Sequence, residues 1–96
     1  MNNQTQEQDR YTSFMGLSCD VNADRLIQML DTNISTEKGE YRWQEYFSKK
    51  RQEQVQLNHD NLNFVGHQTN TLYEYFASCE DAEALELLYK IEQQCC

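Results

Sequence analysis

Proline is absent from this chain of 96 residues, and glycine occurs only at positions 16, 39 and 66. Proline removes a backbone donor and clashes with the preceding turn, and glycine carries a large conformational entropy, so both interrupt helices. A chain with so few breakers can run long helices. The apolar spacing shows where they fall. Ala23, Leu26, Ile27, Leu30 and Ile34 share one helical face, with Asp20 or Asn22 as a suitable N-cap. The segment 35–40 (STEKGE) closes that helix, with Gly39 as its flexible point. A second helix over about 40–56 carries Trp43, Tyr46 and Phe47 on one face, and its stripe continues through Lys50 and Gln54, where Lys stems can cover the edge of the core.

Asn58 to Asp60 supplies turn and capping residues, and a third helix follows with Leu62, Val65, Thr69, Leu72, Tyr73 and Phe76 along its face. Gly66 interrupts it at about 1 kcal/mol relative to Ala, tolerable where a neighbouring helix packs closely. Ser78-Cys79-Glu80-Asp81 resembles a capping box, and Ala84, Leu88, Ile91 and Cys95 mark the buried face of a fourth helix. Residues 1–9 read as a frayed tail, and 10–19 as an irregular or short extended segment packing Tyr11, Phe14 and Leu17 on the domain. The expected fold is all-α: one domain over 10–96, a small compact bundle of about four amphipathic helices.

Leu, Ile, Val and Phe total 19, at the edge of disordered composition, but the full apolar count of 37 favours a folded chain. Sixteen acids against eight bases disfavour a nucleic-acid or anionic-membrane role. The charge is uneven: residues 1–55 hold nine acids and seven bases, residues 56–96 seven acids and one base. Solvated helix face is the ordinary reading of such runs, including the basic Lys49-Lys50-Arg51. There is neither an apolar run near 18 residues nor a signal-peptide pattern at the start. A cytoplasmic protein with no membrane contact, its cysteines as thiols, is therefore expected.

Candidate chemistry is sparse. Asp20-Val21-Asn22-Ala23-Asp24 matches the opening of a calcium loop, but Arg25 stands where that loop needs Gly and Asp31 where it needs a bidentate Glu. Cys19, Cys79, Cys95 and Cys96 form no C-x-x-C pair, and the first three read as small core residues. His59 and His67, eight apart, would lie about 12 Å apart on one helix and could not chelate one ion together. Phosphate-loop, dinucleotide and nucleophile-elbow patterns are missing. The expectation is a protein with no catalytic residue, no metal and no cofactor.

The run Arg10-Tyr11-x-x-Phe14-x-Gly16-x-x-Cys19-Asp20-x-Asn22-Ala23-x-Arg25 resembles the opening signature of the CowN family. The acidic last helix ending in Cys95-Cys96 is similar to the family's C-terminus, and the Trp43 helix with Asp60, Leu62, His67, Asn70 and Phe76 fits its middle. The resemblance spans about residues 10–96. It implies a non-enzymatic partner of nitrogenase that protects nitrogen fixation from carbon monoxide, docking on the component that carries the active-site cluster. Candidate contact residues are Arg10, Tyr11, Asp20, Asn22 and Arg25, with Glu80, Asp81, Glu83, Glu86, Cys95 and Cys96 as second choices. Three readings compete. They are capture of carbon monoxide on a metal or haem held by His59, His67 or Cys, thiol redox chemistry at Cys95 and Cys96, and a generic helical adaptor.

Overall fold

The computed structural model describes the backbone of residues 12–95 and the side chains from Cys19 to Cys95. Within them the regular elements are five helices: α1 (Thr12–Ser35), α2 (Tyr41–Leu57), α3 (Asn61–His67), α4 (Thr69–Ser78) and α5 (Ala82–Cys95). The long α1 packs against α5 and α3, and α4 packs against α5. The all-α bundle expected from apolar periodicity is therefore present, with three differences at helix ends.

First, α1 begins at Thr12, so residues 12–19 are helical rather than extended, and Asp20 and Asn22 lie inside the helix instead of capping it. Tyr11 and the side chains of Phe14 and Leu17 lie outside the described residues. Second, the helix expected through 60–76 breaks at Gln68, whose φ −115° and ψ 17° leave the α region. The threonines beyond it favour the break, because their hydroxyls bond carbonyls of the preceding turn. Thr69 Oγ1 donates to the Val65 carbonyl at 2.9 Å and Thr71 Oγ1 to that of Gln68 at 2.9 Å. From α2, the Tyr46 hydroxyl holds Gln68 Oε1 at 2.9 Å.

Local chemistry explains the remaining ends. Asp60 caps α3, its carboxylate accepting the Asn63 N–H at 2.7 Å, and Asn58 closes α2 in the left-handed conformation at φ 59°. Third, the expected box at 78–81 resolves differently: Ser78 ends α4, and Asp81 itself caps α5 by accepting the Ala84 N–H at 3.1 Å.

The core joins Leu26 and Leu30 of α1, Phe47 of α2, Phe64 and Val65 of α3, Leu72, Tyr75 and Phe76 of α4, and Ala84, Leu88 and Ile91 of α5. Gln54 is buried, and satisfied: its amide donates to the His59 carbonyl at 3.1 Å and Asn61 Oδ1 at 2.8 Å, while Arg51 donates to its Oε1. The close approach expected at Gly66 occurs at Gly39 instead. A Cβ on Gly66 would meet no heavy atom within 4 Å, whereas one on Gly39 (φ +78°) would stand 2.6 Å from Ser78 Oγ and 2.8 Å from Cys79 Sγ. The α1–α2 loop is thus seated on the end of α4, where the buried Tyr75 donates its hydroxyl to the Lys38 carbonyl at 2.9 Å.

Tyr73 ties α4 to the last turn of α5 by donating to Glu92 Oε1 at 2.6 Å. Burial, then the bond to Glu92, pushes its hydroxyl up to about 12. The unfolded chain loses this proton near about pH 10, so between there and about pH 12 the folded state holds more protons. Stability is full below that window and falls as pH rises through it. Urea midpoints from pH 9 to 12 are expected to decline, and to decline less steeply in Tyr73→Phe; identical slopes in the two proteins would refute the assignment.

Candidate functional site

The α1–α5 face brings together Arg25, Glu83 and Glu86, three of the sequence-derived contact residues. On α5, the buried stripe of Ala84, Leu88 and Ile91 commits one side to the core. The opposite flank presents Glu83, Glu86, Leu87 and Lys90 at helical spacings of three and four, with Tyr89, Gln93 and Gln94 beside them. Across from them, Arg25 of α1 stands one residue before the buried pair Leu26 and Ile27 and therefore points off the core. Together these residues line a groove of about 480 Å³.

Arg25 Nη2 and Glu83 Oε2 approach to 3.4 Å with both side chains more than 60% exposed, 64% and 70%. A pair this exposed contributes only about 0–1 kcal/mol to folding. Both side chains are thus free to exchange this contact for one with a partner. A second hollow of about 370 Å³ adjoins the pair on its other side, lined in part by Asn33, Lys38 and Asp81. Asp81 has structural duties there: besides capping α5 it accepts a hydrogen bond from the buried Asn33 amide at 3.0 Å.

Of the residues singled out in the sequence, Arg25, Glu83 and Glu86 meet in one groove, and Asp81 borders it. Asp20 is exposed and Asn22 half-buried on α1, and neither is among the groove's lining residues. Glu80 sits exposed in the α4–α5 turn with φ +56°. Arg10, Tyr11 and Cys96 lie outside the described residues. The groove is of mixed charge, two acids against Arg25 and Lys90, rather than the purely acidic face the composition suggests.

Sequence reasoning missed two features. Tyr89, 58% exposed and lining the groove, falls one position off the buried stripe at Leu88, and that offset was the available signal. The other is a disulfide. Cys19 and Cys95, 76 residues apart, are bonded with their Cα atoms 5.8 Å apart, joining the end of α5 to α1. The expectation of four thiols is corrected accordingly, as is that of Cys19 and Cys95 as separate small core residues. Among the described residues Cys79 is the free cysteine, and burial pushes its thiol up, away from the reactive thiolate form.

His59 and His67 do not share one helix, since His59 precedes α3. Both line a small hollow of about 210 Å³ between α2 and α3, where His67 Nδ1 lies 3.0 Å from the Asn63 carbonyl. Among the described residues no three His, Cys, Asp or Glu side chains are placed to share a metal ion. Nor is any described helix long and apolar enough to cross a membrane.

Comparison with known proteins agrees with the signature around Arg10–Arg25. The family model described as N2-fixation sustaining protein CowN matches residues 3–96. The chain is 49% identical over 96 residues to the N(2)-fixation sustaining protein CowN of Cereibacter sphaeroides (strain KD131), covering the full length of both. It is 46% identical to that of Rhodobacter capsulatus over 99% of each chain, and 38% identical to that of Dechloromonas aromatica over 92% of this chain and 90% of the relative. No solved structure matches. With the family model spanning nearly every residue and full-length relatives at this identity, the chain belongs to the CowN family of N2-fixation sustaining proteins.

Proposed function

We propose that this protein sustains nitrogen fixation by docking on nitrogenase, at the component that carries the active-site cluster, and reducing its inhibition by carbon monoxide. It acts alongside the enzyme in the cytoplasm and catalyses no reaction of its own. The observation that carries the docking reading is the α1–α5 groove, in which an exposed aromatic ring, Tyr89, stands among weakly paired charges. A ring amid a polar rim suits a reversible protein contact, because the ring supplies area while the charges keep the free surface soluble.

Protection by docking has a thermodynamic requirement. Carbon monoxide must bind the complex less tightly than it binds free nitrogenase, and by linkage carbon monoxide must weaken docking by the same factor. A stoichiometric trap has no such leverage on a diffusible gas, since each molecule captured consumes one protein. Thiol chemistry at the C-terminal pair also loses support, because Cys95 is bonded to Cys19.

The test is substrate reduction by purified nitrogenase across a carbon monoxide titration at increasing molar ratios of this protein. The inhibition constant is expected to rise and then saturate with added protein. A curve that does not move at any ratio refutes the reading and leaves a generic adaptor.

A further inference from the structure

The end of α5 has few holds of its own. Ile91 is the last fully buried side chain of the helix; beyond it Glu92 and Cys95 are half-buried and Gln93 and Gln94 are exposed. The last carbonyls of a helix have no intrahelical partner, so a final turn with little burial frays unless something holds it. Two contacts oppose this here, the Tyr73–Glu92 hydrogen bond and the covalent bond from Cys95 to Cys19. Gln93 and Gln94 form one edge of the groove, immediately before Cys95. The groove's shape therefore depends on a bond that can be made and broken.

We propose that Cys19–Cys95 is a thiol–disulfide latch: closed, it holds the last turn of α5 as the edge of the docking groove, and opened by a dithiol reductant it releases that edge and weakens docking. The inference rests on the docking reading above and supplies its regulation. In the opening step one thiolate of the reductant attacks the Cys95 sulfur, which is half-buried and so more accessible than the buried Cys19. The bond to Cys19 breaks, and Cys19 leaves as a thiolate that takes up a proton. The reductant's second thiolate then displaces Cys95, which is protonated in turn. Two electrons pass to the protein, and the reductant departs as a cyclic disulfide. An oxidised dithiol reverses each step.

The remainder of the fold stands without the latch, because Ala84, Leu88 and Ile91 stay buried against α1 and α4. Opening is thus a local event at 92–95 and distinct from unfolding.

The test uses the full chain as Cys79→Ser/Cys96→Ser, which retains only Cys19 and Cys95, prepared oxidised and dithiothreitol-reduced. The natural chain in both states serves as the second preparation should that variant not fold. Hydrogen exchange of the amides at 93–95 is expected to quicken about tenfold or more on reduction, with the amides of 84–91 unchanged. Sedimentation with nitrogenase, without electron donor, is expected to show about tenfold weaker docking for the reduced form and for Cys19→Ser/Cys95→Ser. Equal docking by the oxidised and reduced forms overturns the latch and leaves the docking reading intact, as does unchanged exchange at 93–95. Docking by neither form overturns the docking reading, and the latch's role with it.

Discussion

Phe47→Ala is expected to lower the unfolding free energy by about 3–5 kcal/mol, the usual cost of emptying a phenylalanine site. A domain of this length has roughly 5–14 kcal/mol in all, so this one change removes a large share. The reason lies in how α2 is attached. Its buried residues are Phe47 and Gln54, and Trp43 and Tyr46 are only partly buried against the core, which makes Phe47 the main apolar anchor of a helix of 17 residues. The ring sits between helices, 5.6 Å from Tyr75 and 6.5 Å from Phe64 by centroid, with Tyr46 edge-on at 5.0 Å. Aromatic pairs at such separations add to the simple burial term. Truncation opens a cavity between α2, α3 and α4 that rigid neighbours cannot close. Urea unfolding followed by circular dichroism reads the loss, with Val55→Ala, 74% exposed on the same helix, expected to stay within about 0.5 kcal/mol of the parent. A cost for Phe47→Ala below about 1 kcal/mol would mean that α2 is held by something other than this ring.

Phe47 was legible in the sequence because its helix is uninterrupted, and so were Ala23, Leu26, Ile27 and Leu30 of α1 and Ala84, Leu88 and Ile91 of α5, all buried on the stripes their spacing marks. Phe64 and Tyr75 were not. A single helix through 60–76 has one stripe, whereas the break at Gln68 gives α3 and α4 separate buried faces and admits both rings to the core. Periodicity cannot see that break, because it reads apolar side chains, and the groups that meet at Gln68 are threonine hydroxyls and a tyrosine from α2. Spatial pairing is equally invisible to spacing. Arg25 and Glu83 are both singled out by the sequence, yet nothing in it says that two residues 58 positions apart meet. The Cys19–Cys95 bond escaped for a different reason: an argument from redox compartment concerns the average protein, while the proximity of two thiols depends on α1 lying beside α5.

Tyr89→Ala is expected to weaken docking on nitrogenase by at least about tenfold, or 1.4 kcal/mol, and to return the carbon monoxide inhibition constant toward its value without this protein. The expectation rests on the ring's position. At 58% exposure the isolated chain recovers little of its apolar area, and the groove around it offers Leu87 as a half-buried floor and Arg25, Glu83 and Lys90 as polar margins. Aromatic anchors bordered by polar groups that exclude water are where truncation costs most at protein interfaces. The surrounding charges act differently. Reversal of Glu83 by Glu83→Lys sets a second cation beside Arg25, and an exposed charge of this kind changes association rate and salt dependence more than it changes the lifetime of the complex. The two variants therefore separate in kinetics: Tyr89→Ala speeds dissociation, whereas Glu83→Lys alters association and its response to salt. Tyr89→Ala leaves folding stability within about 0.5 kcal/mol, since its side chain is outside the core, whereas Glu83→Lys, in the first turn of α5 and opposite Arg25, lowers it by about 1 kcal/mol. Tyr41→Ala, 69% exposed on α2 and away from this groove, is the matched control and keeps full docking. Were Tyr89→Ala to protect nitrogenase as well as the parent while Tyr41→Ala did not, the docking surface would lie on α2 and the α1–α5 groove would have no part in it.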